Sequence, residues 1–226
     1  MQTNRNENKI FLRGRLAEEP GLSHVNHGVT YCRLPLSVRR LSGAEDRLNV
    51  IAAQEQLLSL QPGDPLTVRG EVRTFNNRSG TGSRLIVSVF AQELSQEEGE
   101  DENCLTLTGA LCKPPAIRAT PLGRTICDMI LAVNRRYGRA DYLPCIAWGS
   151  LAHRCAAMSV GDTLSLEGRL QSRTYTKEID GQLHGGPTAC DAAAHGRKAS
   201  QLFTPPHNFA GREKASGTLY NQEVSL

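Results

Sequence analysis

Aromatic residues are scarce in this chain of 226 residues, which has one Trp, five Tyr and five Phe. Its seven cysteines form no CxxC pair and are odd in number, which argues against a zinc site of paired cysteines and against a disulfide framework. They lie in apolar strand-like runs, as reduced, buried thiols do. No apolar run reaches the roughly 18 residues of a membrane span, and MQTNRNENK at the start lacks a signal-peptide core. We therefore expect a cytoplasmic protein.

A converging set of acid–base or nucleophilic residues is also missing, so we expect no enzyme and no cofactor. His24 and His27 have ligand-like spacing but no second pair beside them, which argues against a metal site. Nothing in the sequence positions Cys190, Asp191 and His195 for nucleophilic chemistry. The function is more readily sought in binding than in catalysis.

The net charge of +3 is unevenly distributed. Residues 1–95 carry +3 and residues 103–182 carry +4, whereas QEEGEDE at 96–102 contains five acids and no base. A charge run of this kind is typical of a solvated spacer. We predict two mildly basic units, an acidic linker at 96–102, and a disordered tail at 183–226. The positive balance permits a polyanionic partner without requiring one.

The two units are copies of one another. Moving the chain along itself by 95 residues aligns identical residues without a gap, and after the third strand-like run the offset becomes 98. A three-residue insertion between strands explains the change. The matching segments are 8–16 with 103–111, 28–38 with 123–133, and 62–72 with 160–170.

Each unit has the element order of an OB-fold. Three strand-like runs precede a short run with helical spacing, and a Gly-Asp turn then leads into a fourth strand with a central glycine, Gly70 or Gly168, that suits a bend or bulge. The first unit closes with an alternating fifth strand, RLIVSVFAQ. Five strands with a helix between the third and fourth form a partly open Greek-key barrel. We predict an all-β protein with short helices, made of OB-fold 1 at 1–95 and OB-fold 2 at 103–182.

Both units resemble bacterial single-stranded DNA-binding proteins, the second closely. The segments that carry the resemblance cover most of 103–177: NCLTLTGAL, PPAIRATPLGRTICDMILAVNRR, ADYLPCIAWGSLAHRC and VGDTLSLEGRLQSRTYT. The resemblance implies a nucleoid-associated protein that binds single-stranded DNA without strong sequence preference, in replication, recombination or repair. Because members of this family commonly assemble four OB-folds, it also implies a homodimer of this two-barrel chain.

Binding of this kind needs flat faces for base stacking and cations for the phosphates. In the third strand of the second unit, alternation places Leu143, Cys145 and Ala147 on one small apolar face. Tyr142 and Trp148 then share the other face, roughly 20 Å apart at about 3.3 Å per residue. That surface is suited to holding two bases.

The resemblance assigns base stacking to the end of the second strand, both ends of the third, and a point after the fourth. These positions hold Tyr137, Tyr142, Trp148 and Tyr175. The nearby basic residues are candidates for phosphate contacts: Arg135, Arg136, Arg139, Arg169, Arg173 and Lys177. Pro144 removes a backbone donor in mid-strand, so we expect either a bulge or an edge position there.

The first unit lacks this set of aromatics. Its residues at the equivalent positions are Ser42, Arg47, Ala53 and Asn77. Phe75 is a candidate substitute stacker. Candidate groove cations are Arg39, Arg40, Arg47, Arg73, Arg78 and Arg84. Two interpretations of the first unit stay open: a weaker binder, or a structural and interaction copy.

The end of the chain departs from the family pattern. A fifth strand of the second barrel is due near Gln182, but QLHGGPTACDAAAHGRKASQ shows no strand alternation. We therefore expect the second barrel to lack its last strand, or to receive a strand from elsewhere. A reading-frame change near Gln182 is our hypothesis for the departure, and the coding nucleotides would test it. GTLYNQEVSL also lacks the acidic tip with which the family recruits replication and repair proteins.

Two alternatives to single-stranded DNA binding remain at this point. The OB-folds of an assembly factor of replication or of a mobile element would bind protein, with weak or no nucleic-acid binding. An RNA-binding OB-fold protein is not separable by sequence, because stacking tolerates either sugar.

Overall fold

The computed structural model describes residues 7–57, 59–77, 84–173, 176–179, 182–185 and 189–194. The strands in these ranges are β1 Asn8–Leu16, β2 Gly21–Asn26, β3 Val29–Arg39, β4 Glu45–Ala53, β5 Pro65–Asn76, β6 Leu85–Ser95, β7 Glu102–Leu111, β8 Ala116–Ala119, β9 Thr125–Asn134, β10 Ala140–Trp148, β11 Thr163–Arg173, β12 Thr176–Ile179, β13 Gln182–Gly185 and β14 Ala189–Ala194. The helical elements are α1 Ser150–Ala156 and single 3-10 turns at Gln54–Gln56 and Arg136–Gly138.

Twelve of these strands form one sheet, in the order β2-β3-β4-β6-β5-β1-β7-β11-β14-β10-β9-β8. The sheet curls into two barrels, because β1 also pairs with β3 and β7 also pairs with β9. Gly14 and Gly109 make these closures sterically possible: a Cβ at Gly14 would lie 2.1 Å from the carbonyl oxygen of Ser37, and one at Gly109 would lie 2.8 Å from that of Ala132. The predicted all-β fold of two tandem OB-folds is confirmed. The acidic segment connects β6 to β7, and β12 and β13 form a separate hairpin.

The element after the third strand differs between the barrels. The second barrel has the expected helix there, α1, whereas the first has only a single 3-10 turn over Gln54–Gln56. Pro62 and Gly63 follow that turn closely and leave little room for a helix. The three extra residues of the second copy fall in this connection. The insertion inferred from the change of offset therefore accommodates the helix.

The expectation that the second barrel lacks its last strand is wrong. β14 pairs antiparallel with β11 and parallel with β10. β6 holds the same position in the first barrel, antiparallel to β5 and parallel to β4. Ladder hydrogen bonds to neighbours on both sides hold this alanine-rich segment extended, and such context outweighs its low intrinsic strand preference. The structured chain thus extends past the predicted boundary at residue 182, as far as Ala194 among the described residues.

Pro144 lies opposite Ile130 in the pairing of β10 with β9, which continues across the proline without a register shift. The backbone carbonyl of Ile130 accepts a hydrogen bond from the N–H of Cys112 at 3.1 Å. The backbone polar groups of Ile130 therefore point away from β10. The rung is therefore a non-hydrogen-bonded pair, and the proline removes no bond to β9. On its other side, the pairing of β10 with β14 begins one residue later, at Cys145. The edge interpretation is confirmed and the bulge is not present.

The barrels are joined along β1 and β7, which pair antiparallel. The side-chain amide of Asn8 donates to the carbonyl of Val72 at 2.8 Å and accepts from its N–H at 2.9 Å. Asn103 makes the same pair of bonds with Leu170, at 2.8 and 3.0 Å. These residues are related by the offsets 95 and 98, so the duplication persists as approximate two-fold symmetry.

Of the six cysteines whose side chains the structure describes, four are buried thiols, and none of the six is in a disulfide. Burial raises the pKa of the Cys155 thiol to about 11, which keeps it protonated and unreactive near neutral pH. Cys104 is the exposed exception. Within the described ranges, no helix has the length and apolarity needed to cross a membrane.

Candidate nucleic-acid interface

The outward face of β10 carries the two aromatic residues that alternation predicted. Leu143, Cys145 and Ala147 are buried in the barrel interior. On the opposite face, 53% of Tyr142 is exposed and Trp148 is half-buried at the end of the strand. The apolar interior is therefore complete without these two rings.

A cleft of about 340 Å³ opens over the middle of β10, where Pro144 follows Tyr142 by two residues and Ile146 precedes Trp148 by two. Pro144 and Ile146 contribute to its apolar lining, and basic side chains from other segments surround it. These basic residues are Lys113, Arg118 and Arg173. Sequence reasoning missed Lys113 and Arg118, because only the pairing of β8 with β9 reveals that this segment borders the face.

Three of the predicted site residues of the second barrel have side chains outside the described residues, and Arg78 of the first barrel lies outside them too. Tyr137 is in the 3-10 turn between β9 and β10, and Lys177 is in β12, so only their backbone positions are described. Tyr175 lies outside the described residues altogether. The expectations for these four residues stay predictions.

Asp141 is completely buried between the barrels and collects polar partners from both. It binds the guanidinium of Arg135 in its own barrel, and it accepts from the N–H and the hydroxyl of Thr74 in the other barrel, at 2.5 and 3.0 Å. Arg73 of that barrel lies 3.4 Å away. Burial alone would raise the pKa of Asp141, but the hydrogen bonds from Arg135 and Thr74 outweigh it and hold this pKa below its usual value.

A matching cluster joins the barrels on the other side, around the completely buried Asp46. Asp46 binds the guanidinium of Arg40 and accepts from the N–H of Ser172 in the second barrel at 2.8 Å. The offsets 95 and 98 relate these residues to the cluster around Asp141. Three candidate phosphate contacts thus face buried carboxylates between the barrels: Arg40, Arg73 and Arg135.

Aromatic residues of both barrels approach each other beside Asp141. The N–H of Tyr142 donates to the hydroxyl of Thr74 at 3.2 Å, and Phe75 is the next residue along β5. Phe75 is 44% exposed, and the guanidinium of Arg135 lies 5.7 Å from its ring centre. The structure thus brings Phe75 to the edge of the second barrel's face rather than to an equivalent site of its own.

Arginines take the corresponding place beside Asp46. The N–H of Arg47 donates to the hydroxyl of Ser172 at 3.0 Å, and the Arg47 side chain pairs with Glu18 at 3.0 Å. Burial, together with the charge of Arg40, lowers the pKa of Arg169. This corner holds three of the predicted basic residues, Arg40, Arg47 and Arg169, whereas Arg173 lines the cleft over β10.

Four further candidates are exposed and form no ion pair among the described residues: Arg39, Arg84, Arg136 and Arg139. Arg136 and Arg139 belong to the connection that leads into β10, on the Tyr142 side of the cleft. Arg39 ends β3, where its N–H donates to the carboxylate of Asp101 at 2.6 Å.

Comparison with known proteins connects this interface to one family. The model of the Single-strand binding protein family matches residues 102–185, which include the whole of the face around β10. The single-stranded DNA-binding protein of Bacillus cereus is 28% identical over 130 residues, covering 54% of this chain and 70% of the relative. That of Thermus thermophilus is 28% identical over 201 residues, covering 75% of this chain and 76% of the relative.

The fold extends the likeness to both barrels. The crystal structure of the wild-type single-stranded DNA binding protein from Thermus aquaticus matches with a TM-score of 0.71 at 23% identity, covering 91% of this chain and 98% of that one. At this identity the match concerns the arrangement of the barrels and not their chemistry. The family match covers the second barrel, and the Thermus aquaticus protein shares the arrangement of both barrels. Residues 102–185 therefore match the single-strand binding protein family, and the chain is similar to the tandem OB-fold proteins of Thermus.

Proposed function

We propose that this protein binds single-stranded DNA without strong sequence preference, by stacking bases on Tyr142 and Trp148 and by phosphate contacts from arginines. The observation that carries the proposal is the outward face of β10, which bears Tyr142 and Trp148 and, between them along the strand, a cleft lined by Lys113, Arg173 and the Arg118–Asp128 pair. Stacking is worth about 1–3 kcal/mol per base and tolerates any base, since every base has a π-face. The names of the relatives point to the same ligand.

The phosphate contacts are assigned by exposure. Arg136 and Arg139 project into solvent beside Tyr142, whereas Arg135 is held by Asp141. We assign the first pair to the DNA backbone and Arg135 to the joint between the barrels. The predicted roles of Tyr137, Tyr175 and Lys177 are retained in the proposal.

The physiological setting follows from the same proposal. The protein acts without catalysis in replication, recombination or repair, in the nucleoid, and two chains associate to give four OB-folds. Sedimentation of the free protein tests the dimer, and a monomer at all concentrations would contradict it.

The deciding experiment is a titration with oligo(dT), followed through the fluorescence of Trp148, which is the single tryptophan of the chain. We expect saturable quenching that weakens with salt, with log K falling by about 0.7 per phosphate contact for each tenfold rise in salt. Replacing both Arg136 and Arg139 by Ala should make that slope shallower. Absence of quenching and of binding at low salt would overturn the proposal in favour of a protein-binding role, and a preference for oligo(U) would reassign the ligand to RNA.

A further inference from the structure

The first barrel has an aromatic cluster of its own, which no alignment of the two copies reveals. His24 on β2 stacks on Tyr31 on β3 with ring centres 4.9 Å apart and planes 13° apart. The ring centre of Phe90 on β6 lies 5.5 Å from that of Tyr31, with the two planes tilted by 45°. His24 is exposed, and Tyr31 and Phe90 are half-buried. The three rings therefore form a cluster in which the stacked His24–Tyr31 pair ends in an accessible ring.

The cluster lies at the same place in the barrel as Trp148. Tyr31 is opposite Ala53 in the pairing of β3 with β4. The residues equivalent to these two, at an offset of 95, are Ile126 and Trp148, which are opposite one another in the second barrel. One barrel thus carries its ring on the third strand and the other carries it on the second.

The two rings lie close to the same point of their barrels, although they are carried on different strands. The N–H of Arg40 donates to the carbonyl of Ala44, which makes the rung between Tyr31 and Ala53 a non-hydrogen-bonded pair by alternation. In the second barrel the N–H of Gly149 donates to the carbonyl of Thr125, so the next rung, between Ile126 and Trp148, is likewise a non-hydrogen-bonded pair. Side chains on such rungs lie close, with Cβ atoms about 5 Å apart. An aromatic ring on either strand therefore covers nearly the same patch of the outward face.

The tyrosine is on the outward face, as Trp148 is. Cys32 and Leu34, its neighbours in the alternation along β3, are buried in the barrel interior. Arg33 follows on the outward face, two residues from Tyr31, and its side chain is exposed and in no ion pair among the described residues. The equivalent position in the second barrel is Asp128, which is paired with Arg118. The first barrel therefore places an uncompensated cation beside its rings.

We infer that His24, Tyr31 and Phe90, with Arg33, form a second base-stacking site for the same single-stranded nucleic acid. The inference rests on the proposed function. A nucleobase stacks on the exposed ring of His24, which Tyr31 and Phe90 support from behind, and Arg33 contacts an adjacent phosphate. A flat ring next to an unpaired guanidinium matches a nucleotide better than an apolar protein surface. The first barrel is thus a second binding module, and not only a structural copy.

A site-specific probe tests the location. The variant His24→Trp in a Trp148→Phe background carries its only tryptophan at the end of the ring stack, and the phenylalanine keeps a ring on β10. Val25→Trp in the same background is the matched control, because Val25 neighbours His24 on β2 and projects to the other side of the hairpin. We expect oligo(dT) to quench the tryptophan at residue 24 and not the one at residue 25.

Binding itself is followed independently, through the anisotropy of labelled oligo(dT). Labelled DNA that binds without quenching at residue 24 would overturn the inference and leave the proposed function standing. Failure of the unmodified chain to bind the labelled DNA would overturn both.

An exchange variant tests the mechanism. We expect Tyr31→Ile to weaken binding of a roughly 35-nucleotide oligo(dT), longer than two OB-folds cover, by about 5- to 100-fold. Binding of a roughly 8-nucleotide oligo(dT), within the range of one OB-fold, should change little. Adding Ala53→Trp recreates the Ile126–Trp148 rung in the first barrel and should restore the lost affinity. A Tyr31→Ile protein that sediments as a smaller assembly with unchanged affinity would instead show that a second copy covers the rings.

Discussion

Trp148 and Tyr142 lie on the outward face of β10, opposite the apolar interior of the barrel. The apolar face of β10 is filled by Leu143, Cys145 and Ala147, which are almost fully buried. We therefore expect Trp148→Ala or Tyr142→Ala to weaken oligo(dT) binding by about 5- to 100-fold, corresponding to one lost stack, with little change in thermal stability. Labelled-DNA anisotropy and thermal unfolding measure the two effects.

Phe11→Ala is the control for these two variants. Phe11 on β1 packs under the guanidinium of Arg69 on β5, which lies 4.6 Å from its ring centre. Because β1 is not a neighbour of β10 in the sheet, loss of the Phe11 ring should leave DNA affinity unchanged. A Trp148→Ala protein that unfolds far more easily yet binds DNA normally would contradict the base-stacking role of Trp148. It would show that the ring packs in the barrel and does not contact the DNA.

Period-two alternation predicted the outward position of these rings, since it depends only on neighbouring residues in one strand. It missed the role of Tyr31, which depends on the residue opposite in the next strand. Alignment by the offset of 95 pointed to Ala53 and found no ring there. Sequence therefore predicts a site best where one strand supplies it, and less well where two strands share a position.

Among the structural elements, β4 and β10 each bury an aspartate against the opposite barrel. Asp141→Asn removes the negative charge that faces Arg135 and Arg73 and leaves Arg135 without its carboxylate partner, whereas Arg73 keeps its ion pair with Glu71. Breaking a buried ion pair costs about 3–5 kcal/mol. We expect a loss of that order in the free energy of unfolding, measured in urea at neutral pH.

Asp128→Asn is the matched control. Asp128 pairs with Arg118 on the surface, where 38% of its side chain is exposed, so its loss should cost less than about 1 kcal/mol. Equal losses for the two variants would show that the joint between the barrels contributes no more than a surface ion pair.

The depressed pKa of Asp141 predicts how stability depends on pH. Because this pKa is lower in the folded protein than in the unfolded chain, the stabilisation is complete above the unfolded value of about 3.9 and is lost as pH falls through the folded value. The unmodified protein should therefore lose stability below about pH 4 more steeply than Asp141→Asn. Urea unfolding of both proteins between pH 7 and 3 checks this, and parallel pH profiles would contradict it.

These inter-barrel contacts lay beyond sequence reasoning, which assigned Arg135, Arg73 and Arg40 to phosphates. Arg40 and Arg135 lie six residues before their aspartates in the sequence, and Arg73 meets Asp141 across the joint between the barrels. Only the folded arrangement buries these aspartates, so the sequence does not show that the arginines are engaged. β14 was missed for a related reason, because its pairing partners are distant in sequence and its composition carries no alternation. Local patterns predicted each barrel, and long-range pairing determined how the barrels meet and close.

On the scale of the whole molecule, the two barrels form one continuous sheet. β1 pairs with β7, and the buried Asp46 and Asp141 accept hydrogen bonds from Ser172 and Thr74 of the opposite barrel. Neither barrel can unfold without exposing polar groups of the other. We therefore expect a single cooperative transition, with the calorimetric enthalpy equal to the van't Hoff enthalpy.

Cooperativity between the barrels should fail when both buried aspartates are removed. In the double variant Asp46→Ala, Asp141→Ala, the sheet pairing of β1 with β7 remains but the contacts on either side of it are lost. We expect its thermal unfolding to separate into two transitions, with the barrels melting one after the other, because domains joined by a weaker interface no longer satisfy two-state behaviour. Differential scanning calorimetry measures this, with the double variant Asp128→Asn, Asp162→Asn as a control that removes the same number of carboxylates at less buried positions. A double aspartate-to-alanine protein that still melted in one two-state transition would show that the β1–β7 ladder alone couples the barrels.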